Sequence, residues 1–70
     1  MLKKYEDCRR RCACYADAKT GLIEHEYKGV KTRTWISIGT EYQIIRETTI
    51  TILKRISTEK FEVKSYEIAA

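Results

Sequence analysis

The sequence predicts a mainly β protein, and three observations carry that expectation. Val30, Thr32, Thr34, Ile36 and Ile38 alternate with Lys31, Arg33, Trp35 and Ser37, the period of a strand with one buried face. A second β-branched run, Thr48 to Ile56, sets Ile50, Ile52 and Ile56 at even positions. Gly21, Gly29 and Gly39 stand alone between such runs at turn-like spacing, and proline is absent.

Residues 1–10 have a different character. Leu2, Tyr5, Cys8 and Cys12 recur at helical spacing on a segment rich in Lys, Arg and Glu. That spacing predicts a short N-terminal helix or a basic arm, and below about 12 residues such a helix is marginal without packing.

The β domain is expected over 11–68. Arg11 to Ala16 and Leu22 to Lys28 read as strands flanking the loop Asp17-Ala18-Lys19-Thr20-Gly21. There the Asp side chain bonds the backbone ahead of it, and Gly supplies a positive φ. With Ala18 to Gly21 as the loop, Asp17 faces Leu22, Ala16 faces Ile23, and Tyr15 faces Glu24. Continued further, the register pairs Cys14 with His25 and Cys12 with Tyr27. Cys12, Cys14, Ala16, Ile23, His25 and Tyr27 then share a face turned to the core, with Tyr15, Glu24 and Glu26 on the other.

Gly29 separates the next strand, Gly39-Thr40 turns into Tyr42 to Ile45, and Ser57 to Lys60 forms the turn after that. Phe61 and Val63 alternate with Glu62 and Lys64, and a change of phase near Lys64 predicts a bulge. Five or six short strands in one domain, residues 1–70, describe a small antiparallel barrel or sandwich. The expected core is Ile36, Ile38, Tyr42, Ile44, Ile50, Ile52, Ile56, Phe61 and Val63. Closure into an SH3-like or OB-like barrel would remove exposed edges. The alternatives are a helix laid on a four- or five-stranded sheet, and a homodimer that covers weak edges.

Fourteen Lys/Arg against ten Asp/Glu give a net charge of +4. Residues 1–35 hold nine of these cations and five of the anions, so they carry the whole excess, densest at Arg9-Arg10-Arg11. Such asymmetry suits nucleic acid or an acidic protein as partner, or a plain solvated surface. Three cysteines cannot all pair within one chain, and Met1-Leu2 leads directly into charged residues rather than an export signal. No apolar run approaches the roughly 20 residues that span a bilayer. These features predict a cytoplasmic protein with reduced thiols and no membrane partner.

Cys8, Cys12, Cys14 and His25 are the residue types of a zinc set, but the spacing C-x₃-C-x-C-x₁₀-H does not force one, and buried cysteine commonly packs as a small hydrophobe. Cys14 beside His25 also has the makings of a thiolate nucleophile, though no third group is evident to orient the imidazole. Glu24 and Glu26 share a strand face without a positioned partner, and the glycines form no phosphate-binding loop. Neither catalysis nor a cofactor is expected. The best functional lead is the strand face bearing Lys31, Arg33 and Trp35, where an exposed Trp beside cations suits base stacking with phosphate contact. Arg9, Arg10 and Arg11 would add a mobile phosphate-contacting arm. If Trp35 instead covers a second small core with Leu2 and Tyr5, that lead disappears. The expected function is therefore a small non-enzymatic binding module that binds nucleic acid through these six residues. The alternative is a protein-interaction module or small inhibitor, of phage or mobile-element accessory type, that docks on a larger acidic protein.

Overall fold

The computed structural model describes residues 1–68, which form seven strands and no helix. β1 (Lys3–Glu6), β2 (Cys12–Asp17), β3 (Leu22–Tyr27) and β4 (Val30–Trp35) make one antiparallel sheet. β5 (Glu41–Arg46), β6 (Thr49–Arg55) and β7 (Phe61–Glu67) make a second. In both sheets every strand pairs with its neighbour in sequence, because short turns leave no room for crossovers. Tyr27 pairs with Val30 and Arg46 with Thr49, so Lys28-Gly29 and Glu47-Thr48 are two-residue turns. Their tightness holds Lys28 (φ 52°) and Glu47 (φ 56°) in the left-handed region.

The two sheets stay separate, so the chain is a sandwich rather than a closed SH3-like or OB-like barrel. Cys14, Ala16 and Ile23 from the first sheet meet Ile44, Leu53 and Phe61 from the second. Tyr5, Ile36, Tyr42 and Val63 pack around them. Arg55 ties the sheets together at one end. Its guanidinium donates from Nε to the Ala18 carbonyl (2.9 Å), from Nη1 to that of Ile36 (2.9 Å) and from Nη2 to that of Lys19 (3.0 Å).

Four expectations are corrected. The N-terminal segment is an edge strand followed by a turn, not a helix or an arm. β1 makes its backbone hydrogen bonds along β2 and sets the Tyr5 ring edge-on against Phe61, 6.1 Å between centroids. A helix of that length would have had neither partner.

In β6 the inward residues are Thr49, Thr51 and Leu53, and Ile50 and Ile52 face outward, one residue out of step with the expected core. Isoleucine and threonine form strands equally well, so the alternation alone did not say which set turns inward. The buried hydroxyls are satisfied there: Thr51 Oγ1 lies 3.1 Å from Ser65 Oγ, and Thr49 Oγ1 bonds Glu67 at 3.2 Å.

The bulge falls at Ala13 in β2, between the pairs Tyr5–Cys14 and Glu6–Cys12, and β7 runs in unbroken register past Lys64. Finally, β2 and β3 pair only from Asp17–Leu22 to Tyr15–Glu24. Past Tyr15 the bulged β2 leaves β3, so Cys14 does not pair with His25, nor Cys12 with Tyr27.

Candidate functional site

The face expected to carry function is the outer surface of the four-stranded sheet. Because Tyr27 pairs with Val30, Glu24 stands opposite Arg33 and Leu22 opposite Trp35. Tyr15 pairs with both Lys4 and Glu24, which makes a row Lys4–Tyr15–Glu24–Arg33 across all four strands. Trp35 is 63% exposed and Tyr15 43% exposed, so neither ring belongs to a core. The second core imagined beneath Trp35 does not form, since Tyr5 packs on Phe61 instead.

Every cation on this face stands beside a carboxylate, and Glu24 serves two of them. Glu24 receives Arg33 Nε at 2.9 Å and Lys31 Nζ at 3.3 Å, and Lys4 Nζ lies 3.8 Å from Glu6. Lys31, and Arg33 with it, holds the Glu24 carboxyl below its usual range. Each of the three cations on this face thus already has a carboxylate within 4 Å. Tyr15, Leu22 and Lys4 were not among the residues singled out by sequence. For Tyr15 and Leu22 the signal was present in the β2–β3 and β3–β4 hairpin registers, which align them with Arg33 and Trp35; Lys4 is aligned only by the pairing of β1 with β2.

Arg9, Arg10 and Arg11 lie in the β1–β2 turn and do not form a free arm. The Asp7 carboxylate organises this turn: its Oδ1 accepts the N–H groups of Arg9 and Arg11, both at 2.9 Å, and its Oδ2 accepts Arg11 Nε at 3.0 Å. Burial opposes ionisation of Asp7, but the Arg11 and Arg9 N–H groups and the Arg11 guanidinium outweigh it and lower its pKa. Arg11 also reaches Thr49 Oγ1 at 3.1 Å. Arg9 pairs with Glu67, which is held as well by Thr48 and Thr49. The turn is thereby clamped onto β6 and β7. Arg10, exposed and at φ 63°, takes part in no ion pair among the described residues.

The cysteine and histidine readings separate in space. Cys14 is 1% exposed, and burial first, with the neighbouring Cys12 adding to it, pushes its thiol up to about 12. That thiol is a packing group, not a nucleophile at neutral pH. His25 Nε2 lies 3.1 Å from the Tyr42 hydroxyl, and burial lowers its pKa. Cys8 and Cys12 are exposed, and no group of three or more metal-ligating side chains gathers among the described residues. The parting of β2 from β3 opens a cleft of about 300 Å³ lined by Cys12, Ala13, His25 and Glu26. No helix of the described residues is long and apolar enough to cross a membrane.

Compared with protein-family models, curated proteins and solved structures, the chain matches none.

Proposed function

We propose that this chain is a non-enzymatic protein-interaction module whose docking surface is the outer face of the β1–β4 sheet, centred on Trp35. One observation carries the reading: an exposed Trp and Tyr share that face with cations already paired with Glu24 and Glu6. Aromatic rings with arginine, at low net charge, are the chemistry of a protein hot spot. Phosphate binding instead draws on cations free to replace counterions. Nucleic acid is the second reading, favoured by the same two rings, which would stack bases if Lys31 and Arg33 left Glu24.

A photo-crosslinking residue at position 15, in cells producing the full chain, distinguishes the two. A protein adduct that is lost with Trp35→Ala supports the proposal. A nucleic-acid adduct, or oligonucleotide binding whose log affinity falls by about 0.7 per neutralised phosphate with log salt, overturns it.

A further inference from the structure

Arg46 ends β5 on the inward side, in step with Tyr42 and Ile44, in the sheet that does not carry the Trp35 face. Its guanidinium carbon sits 5.4 Å from the centroid of the Tyr27 ring, an arrangement that holds the cation in place. Its Nε is fully buried and makes no hydrogen bond within the described residues. Arg46 also takes part in none of the ion pairs found there. A buried, unsatisfied N–H on a cation is costly, and one that persists in a native structure calls for a physical reason, a bound group among them.

Arg46 borders a cavity of about 180 Å³ where the parted strands β2 and β3 face the free edge of β5. The Tyr27 ring, Ile44 and Ala13 supply apolar wall. Asp7 also borders the cavity but is committed to Arg11 and two backbone N–H groups, so it is no partner for Arg46. Glu26 belongs to the outward set of β3, opposite Lys31.

We propose that this cavity is a binding site for a single carboxylate, received by the Arg46 guanidinium with its apolar body against Tyr27 and Ile44. The guanidinium edge fits a planar carboxylate in two parallel hydrogen bonds. A dianionic phosphate fits the site less well, because no lysine lines it and two carboxylates lie nearby. The site is separate from the Trp35 face and does not depend on the reading of that face.

The Arg46 Nε–H signal in NMR spectra of the ¹⁵N-labelled full chain tests this directly. Sodium acetate, with sodium chloride at equal ionic strength as the control, should shift that signal and the Tyr27 and Gln43 amides along a saturable curve. A short apolar peptide with a free C-terminal carboxylate is the second probe, and its C-terminal amide should give no shift. Binding of the peptide acid at least tenfold tighter than acetate assigns the carboxylate to a peptide chain. Equal affinities assign it to a free small acid. Arg46→Gln should abolish saturation in either arm, and Tyr27→Leu, which keeps the cation, should weaken binding severalfold. If Arg46→Gln fails to fold, the Arg46 signal in the unaltered chain and its response to Tyr27→Leu decide the matter. Shifts that chloride reproduces, or that survive either substitution unchanged, overturn the proposal.

Discussion

Asp7 shows how one side chain changes the meaning of its neighbours. Three arginines in a row look like a solvated basic arm, yet the carboxylate two residues before them gathers two N–H groups and a guanidinium and folds the run into a turn. Asp7→Asn should cost about 1–3 kcal/mol at neutral pH, since it weakens three satisfied bonds at a buried site. The sign of the pH effect follows from the lowered pKa. The carboxylate's contribution is complete above its unfolded value near 4 and is lost as pH falls through the folded value. Urea midpoints of the two proteins should therefore differ most at pH 7 and converge below about pH 4. A gap that persists undiminished at pH 3 would refute the ionic role. Cysteine reactivity is set by equally local causes. Under native conditions iodoacetamide should modify Cys8 and Cys12 and spare Cys14, whose thiol is both buried and held near pKa 12. Mass spectrometry that finds Cys14 labelled as fast as the other two would contradict its placement in the core.

At the scale of elements, β6 separates pattern from packing. Leu53 is wholly buried between Tyr42 and Val63 on its paired strands, whereas Ile52 lies on the outer face between Gln43 and Lys64. Leu53→Ala should cost about 2–5 kcal/mol, and Ile52→Ala clearly less, because its methyls already meet solvent. Thermal or urea denaturation of the two variants compares them directly, and the reverse order would show that the strand is turned over. The total stability of such a domain is only about 5–15 kcal/mol, so Leu53→Ala should leave the fold marginal. The outward set is itself notable. Ile45, Ile50 and Tyr66 stand in one row across β5, β6 and β7, with Ile45 59% exposed.

For the whole molecule, the question is what joins a four-stranded to a three-stranded sheet around so small a core. Polar clamps at both ends answer it. At one end Arg9 and Arg11 fasten the β1–β2 turn to Glu67 and Thr49; at the other Arg55 holds the carbonyls of Ala18, Lys19 and Ile36. Hydrogen bonds from a charged donor contribute about 1.5–3 kcal/mol each, so Arg55→Met should cost at least about 3 kcal/mol. Arg55→Lys should not restore it, since an ammonium cannot address three divergent carbonyls as a planar guanidinium does. Hydrogen exchange should show the loop residues Lys19 to Gly21 losing protection first. Gly21 belongs to this junction as well. At φ 82° it leaves no space for a Cβ, which would meet the Ile36 carbonyl oxygen and the Arg55 guanidinium.

The sequence by itself determined the β class, the turns and much of the register. Those features arise from local chemistry: the Asp17 side chain closing its own loop, Gly21 and Gly29 at positive φ, and β-branched residues alternating in β4. The inward positions of Cys14, Ala16 and Ile23 followed from the same hairpin. Only the tertiary structure decided which face of β6 turns inward, because Ile and Thr are equally at home in a strand and the buried hydroxyls find partners only across the sheet. It also decided that residues 3–6 are a strand, since their backbone partners lie on β2 and the Tyr5 ring finds Phe61 across the core. The candidate face divides the same way. Lys31, Arg33 and Trp35 could be placed on one side from their spacing alone. That Glu24 would pair with two of them, and that Arg9 and Arg11 would be bound into clamps, depends on where carboxylates arrive from other strands, and adjacency in sequence does not report distance in space.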